Sequence, residues 1–200
     1  MAGEIMASEI KANKISPATG TAFTFGDSGD TFTIPSGATI ANSGTATGFG
    51  GDNTPSFGAQ LSANQSIATS TWTKIALNTE WWDTDSAFDT SVNVGRFTVP
   101  SGEGGKYAFD YGTFIGNIDL GESVILGLIK NDSSSSGLVN FGMVREYPGA
   151  ANDHIYTTAS VVLDLAASDF IELWCYQTEG SSQDADDGYT FLTGFKLVGV

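Results

Sequence analysis

From Pro55 onward, short runs of β-branched and aromatic residues recur about every ten residues, separated by clusters of Gly, Asn, Asp and Ser. This spacing predicts ten strands, near residues 56–62, 72–78, 81–83, 95–99, 106–115, 122–130, 137–146, 155–164, 170–178 and 189–198. The alternation is clearest at Tyr107, Phe109 and Tyr111, where every second position is aromatic and three rings fall on one face of a strand. Regular short strands with no helical pattern between them imply an all-β, antiparallel sandwich or jelly roll and exclude a parallel α/β sheet.

The chain before Pro55 differs in kind. Phe23 and Phe25 alternate with Thr, GDSGD follows at residues 26–30, and Phe32 and Ile34 alternate again before Pro35, which predicts a β-hairpin. Four large apolar side chains cannot hold a lone hairpin in water, so this one has to dock on a partner or interleave with copies of itself. Residues 4–15 leave room for a short helix, but Ile5, Met6, Ile10 and Ile15 keep neither a helical nor a heptad period, which argues against a coiled-coil stalk. Residues 44–53, GTATGFGGDN, have the composition of a flexible tether. The chain therefore divides into an attachment segment with its linker, residues 1–54, and a head, residues 55–200.

Composition supports the β reading and removes several functions. There are 25 Gly, 13 Phe, 6 Tyr and 4 Trp, and no stretch rich in Ala, Leu, Glu and Lys. With 23 acidic against 8 basic residues the formal charge is -15, and the cations are scattered singly, so phosphate backbones and anionic lipid surfaces would be repelled. The longest apolar run, Val124 to Ile129, is too short to span a bilayer, and no basic-then-apolar secretion signal opens the sequence. Cys175, the one cysteine, sits among apolar and acidic neighbours, where a core side chain is expected rather than a nucleophile. His154, the one histidine, is expected at a loop tip and lacks the partners that a triad or a zinc site requires. No nucleotide-binding motif occurs, and no carboxylate pair is spaced as acid and nucleophile. The sequence thus points to a protein that is not an enzyme.

Three groups of residues remain as candidate sites. Asp184, Asp186 and Asp187 crowd the loop QDADDG, and Asp83, Asp85 and Asp89 lie in WWDTDSAFD; hard oxygen ligands at this density suit calcium, as they also suit plain solvated charge. The first loop is not an EF-hand, because the twelfth position from Asp184 is Phe195 where a Glu is required. Trp81 and Trp82 should point to opposite faces of a strand, leaving one indole beside Asp83 and Asp85 for a sugar or protein receptor, unless both pack in the core. The run containing Val124, Leu126 and Leu128 is apolar on both faces, so one face needs either a loop or a partner subunit. Tyr107, Phe109, Tyr111, Trp174 and Tyr176 are the further candidates for such a subunit interface, with core packing as the alternative.

Gly105-Lys106-Tyr107-Ala108-Phe109-Asp110-Tyr111 resembles a strand of the complement C-one-q family, in which Gly-x-Tyr-x-Phe-x-aromatic follows Gly-x-Phe-x-x-Pro; Gly95-Arg96-Phe97-Thr98-Val99-Pro100 stands in the matching place. Other segments resemble the family in order: Phe57 to Leu61, Thr71 to Ile75, Phe88 to Thr90, Val124 to Asn131, Leu163 to Trp174 and Phe191 to Leu197. The interval from Phe97 to Gly105 is longer than in the family pattern, with the excess in the turn SGEGG, an insertion tolerated at low cost. The resemblance implies a trimeric jelly-roll head of the C-one-q and tumour necrosis factor type over residues 55–200, with calcium near the trimer axis as in some relatives.

The collagen repeat that precedes such heads in animals is absent, since Gly does not recur at every third position. Instead GDSGDTFTIPSGATI, residues 26–40, resembles segments near the N-termini of bacteriophage tail-fibre and other virion proteins. That resemblance implies a structural virion protein, assembled in a bacterial cytoplasm, bound to other virion proteins through residues 1–54 and presenting its head to a host-surface glycan or protein. A capsid decoration or neck component with a purely architectural role, and a secreted, extracellular bacterial binding module, are the alternatives.

Overall fold

The computed structural model describes residues 15, 19–20, 22, 24–39, 41, 53–134, 137–138 and 142–197. It divides into two units, Met1–Thr47 and Gly48–Val200. Phe23, nearly all of residues 4–15 and most of the tether lie outside the described residues. In the first unit the GDSGD turn forms: the Asp30 amide donates to the Asp27 carbonyl at 3.0 Å, and the Asp27 amide donates back to Asp30 Oδ2 at 2.8 Å. The rings of Phe25 and Phe32 meet across it at 5.5 Å. The described residues flanking this turn carry no assigned strand.

The second unit contains thirteen strands among the described residues, in two antiparallel sheets. They are β1 (Ser56–Gln60), β2 (Gln65–Ile67), β3 (Thr73–Lys74), β4 (Thr79–Asp83), β5 (Phe88–Asp89), β6 (Arg96–Thr98), β7 (Gly105–Ile118), β8 (Val124–Lys130), β9 (Val144–Glu146), β10 (Asp153–Leu165), β11 (Phe170–Gln177), β12 (Gln183–Ala185) and β13 (Phe191–Lys196). In sheet A the long strand β7 pairs β10 along one edge; along the other it pairs β13 through residues 107–112 and β12 at Ile115. Beyond β13 lie β1 and then β4, and β2 lies beyond β12. In sheet B, β11 pairs β8 on one side and β6 and β3 on the other, with β9 outside β8 and β5 outside β6. This is the all-β jelly-roll sandwich expected from the strand spacing. β2, β5 and β12 were not expected, because two or three residues show no period; β9 is shorter than expected, and among the described residues of the expected first half Leu138 bridges Ile129.

The core forms where the inward phases of both sheets meet. Phe57 stacks between Phe88 at 4.7 Å and Phe97 at 4.8 Å, and Phe97 meets Tyr107 at 5.4 Å and Phe109 edge-on at 5.8 Å. Aromatic pairs at these separations add to what area burial alone contributes. The Tyr107 hydroxyl donates to the Glu103 carbonyl at 2.6 Å and that of Tyr111 to the Gly142 carbonyl, so both polar tips are satisfied.

This packing corrects the expected interface. Tyr107, Phe109, Tyr111, Val124, Leu126 and Leu128 are all buried inside a single chain and have no surface to offer a partner. The outer phase of β8 is covered at Gly127 and Ile129, because Leu138 and the Met143 side chain fold over them. An apolar strand on both faces is here a strand covered by its own chain.

Candidate functional site

An extensive aromatic surface lies on the outer face of sheet A. On β7 the core residues Tyr107, Phe109, Tyr111 and Thr113 occupy odd positions, so Phe114 falls in the opposite phase and points outward. It stacks on His154 at 5.2 Å and 19°, and meets Tyr189 at 5.5 Å; Tyr189 in turn meets Tyr156, the register partner of Phe114 on β10, at 6.2 Å. Tyr156 and Tyr189 are more than half exposed. His154 therefore lies within β10 on this aromatic face, rather than at a loop tip.

A second aromatic group continues across the sheet. β4 pairs β1 with Gly58 opposite Trp82 and Ala59 opposite Glu80, so Trp81 is an extra residue, a β-bulge. Strict alternation would send the two indoles to opposite faces. The bulge instead keeps both half-exposed, with rings 6.1 Å apart and tilted by 28°. Trp81 also lies 6.2 Å from Phe191, and its Nε1 donates to Gln60 Oε1 at 2.9 Å. Glycine makes room for these rings: a Cβ at Gly58 would lie 2.5 Å from the Trp82 indole, and one at Gly112 would lie 2.8 Å from the Phe191 ring. Each ring thus occupies the space that a side chain at the glycine would fill.

The carboxylates flanking the indoles do different work. Asp83 accepts from the amides of Ala87 at 3.1 Å and Phe88 at 2.9 Å, closing the loop between β4 and β5. Asp85 is exposed and accepts from the Thr84 hydroxyl at 2.7 Å. Asp89 accepts from the amides of Asn93, Ser91 and Val92, which hold its carboxyl far below the usual carboxylate range. These groups fasten loops.

The QDADDG carboxylates are likewise dispersed. Asp184 is exposed on β12, Asp186 accepts from the Gly188 amide at 2.8 Å, and the Asp187 amide donates to Asn64 Oδ1 at 3.0 Å. Among the described residues no three His, Cys, Asp or Glu side chains converge as a metal-holding group. Trp174 and Tyr176 are half-buried on the outer face of sheet B, Trp174 donating through Nε1 to Glu172 Oε2 at 3.1 Å.

Of the residues singled out in the sequence, the structure thus brings Trp81 and Trp82 together on one face. It adds Phe114, Tyr156, Tyr189 and Phe191, which sequence reasoning missed, and His154, which the sequence had placed at a loop tip. The phase of Phe114 against Tyr107, Phe109 and Tyr111 was the signal that could have found it. Aromatic surface of this extent on one sheet face, carrying polar tips, is the composition of an interaction surface rather than of scattered exposure.

Comparison with models of protein families finds no match, and comparison with curated proteins finds none. Among solved structures, the globular domain of zebrafish complement 1qA protein is similar with a TM-score of 0.47 and 16% identity, over 72% of this chain and 97% of that one. Murine APRIL, in a crystal structure at pH 5.0, is similar with a TM-score of 0.49 and 10% identity, over 71% of this chain and 98% of that one.

Proposed function

We propose that the chain is a structural protein of a bacteriophage virion, an appendage whose jelly-roll head associates as a homotrimer and is displayed for adhesion to a host-surface receptor, with residues 1–54 attaching it to the particle. The observation that carries self-association is the aromatic outer face of sheet A, built by Trp81, Trp82, Phe114, Tyr156, Tyr189 and Phe191. A formal charge of -15 per chain makes copies repel one another. Association therefore has to come from apolar burial, and this face supplies aromatic anchors of the kind that carry interface energy. Three copies also give avidity to a weak single site. The virion assignment rests on the resemblance of residues 26–40.

Light scattering at micromolar concentration is expected to give three times the chain mass, and Tyr156→Lys with Tyr189→Lys to give a folded monomer with unchanged far-ultraviolet circular dichroism. A monomeric wild type would remove the trimer. Deletion of residues 1–50 should abolish incorporation into particles while the head remains folded; particles that still carry the truncated protein would refute the attachment role.

A further inference from the structure

The outer face of sheet B carries a groove of about 520 Å³ that the aromatic face of sheet A does not touch, lined by Trp72, Ile125, Met143, Val144, Arg145 and Tyr176 among others. Its size falls within the range of small-ligand sites. Three of its residues form one row across the sheet: Tyr176 on β11 pairs with Ile125 on β8, which pairs with Arg145 on β9. Two strand spacings, about 10 Å, therefore separate the backbones that carry the phenol and the guanidinium. The Trp72 and Tyr176 rings meet at 5.5 Å and make one wall, and Ile125 forms the floor between them and Arg145.

Among the described residues the polar groups of this groove are nearly unspent. Neither Trp72 Nε1 nor the Tyr176 hydroxyl has a hydrogen-bond partner among the described residues. Among the described residues the Arg145 guanidinium donates only to the Tyr147 hydroxyl, at 3.4 Å. Other cations of sheet B are matched: Lys74 and Arg96 share Glu172, and Lys130 holds Asp169. In a chain with 23 acidic and 8 basic residues, an exposed guanidinium with no carboxylate in ion-pairing reach among the described residues is charge available to a ligand. A purely apolar occupant would leave these donors buried and unsatisfied.

We propose that this groove binds a carboxylate-bearing sugar unit, a uronic or sialic acid, of a surface glycan. The apolar face of the pyranose lies on the Trp72 and Tyr176 rings over Ile125, their polar tips take ring hydroxyls, and the carboxylate pairs with Arg145. The remaining negative charge of the chain repels a repeating polyanion, so the ligand is an isolated acidic unit. This rests on the adhesion reading above and names its ligand class.

The test is calorimetric titration of the full chain with galacturonic acid and N-acetylneuraminic acid, against galactose, which carries a neutral hydroxymethyl group where galacturonic acid has its carboxylate. At least one of the two acids is expected to bind in the millimolar range and galactose not measurably. Arg145→Gln should weaken the acid about ten-fold or more while leaving thermal unfolding unchanged, and Arg145→Lys should keep part of the affinity. Equal affinity for galactose and galacturonic acid, full affinity in Arg145→Gln, or no binding of either acid would overturn the assignment. Adhesion to intact host cells is read separately. Wild-type adhesion that Arg145→Gln does not change overturns the groove and leaves adhesion standing, whereas sugar binding without cell adhesion supports the groove and overturns adhesion.

Discussion

Replacing Glu172 by Gln tests how the second sheet is held together. The Glu172 side chain is 1% exposed, and its Oε1 lies 2.6 Å from Lys74 Nζ and 2.8 Å from Arg96 Nε. Trp174 Nε1 donates to Oε2, and the Arg96 guanidinium rests 3.8 Å over the Phe170 ring. β3 has two residues and β6 three, too few to hold themselves on β11 by ladder hydrogen bonds alone. One carboxylate therefore clips two short strands to a central one. Glu172→Gln removes its charge at nearly constant volume and leaves both cations facing a neutral amide. Breaking a fully buried pair costs about 3–5 kcal/mol. Here Lys74 and Arg96 are 25% and 23% exposed and can turn toward water, which lowers the expected loss to about 2–3 kcal/mol. Lys74→Met should cost less, about 1 kcal/mol, because Arg96 still neutralises the carboxylate. The assay is urea unfolding near neutral pH, followed by tryptophan fluorescence at matched protein concentration, since self-association adds to measured stability. A Glu172→Gln variant within about 0.5 kcal/mol of wild type, or Lys74→Met costing as much, would refute the clip.

Two further outcomes follow from buried or paired titratable groups. Burial pushes the Cys175 thiol up to about 12, so an aromatic disulfide reagent at about pH 8 should label it only as fast as the chain unfolds; rapid stoichiometric labelling of the native protein would contradict its core position. The hydrogen bond from Lys130, helped by Asn131 and the Ala166 amide, lowers the Asp169 carboxyl from 3.8 to about 2. A depressed folded-state value contributes stability that is fully present above the ordinary carboxylate range and is lost as pH falls from 3.8 toward 2. Because Lys130 is a third exposed, Asp169→Asn should cost no more than about 1–2 kcal/mol near neutral pH, with the gap to wild type closing in that acid window; a gap that widens on acidification would show the sign to be wrong.

The strands of the head were legible where period-two alternation runs long enough to fix a phase. Val161, Leu163 and Leu165 on β10 face the core in step with Tyr107, Phe109 and Tyr111 on β7, as alternation requires. The same rings misled on function, because a conspicuous aromatic ladder is conspicuous for filling the core, and the phase left at the surface is the opposite one, where Phe114 sits. β8 misled for a different reason: whether Gly127 and Ile129 are covered depends on Leu138 and Met143, whose fold-back over the strand no local period encodes. The trimer-interface expectation thus failed at six of its eight residues, leaving Trp174 and Tyr176 on the surface, and Tyr176 lines the groove beside Arg145.

The indole pair shows why the aromatic face itself was only half legible. Trp81 and Trp82 were visible as candidates, but their directions were read from one-to-one pairing, under which adjacent residues must diverge. The register with β1 breaks between Gly58 and Ala59, and that break is a property of the pair of strands. Gly58 makes the arrangement possible, since any side chain there would occupy the space of the Trp82 ring. The residue that brings both indoles to one surface thus lies on the partner strand, twenty-odd positions upstream, and only the paired sheet reveals what it does.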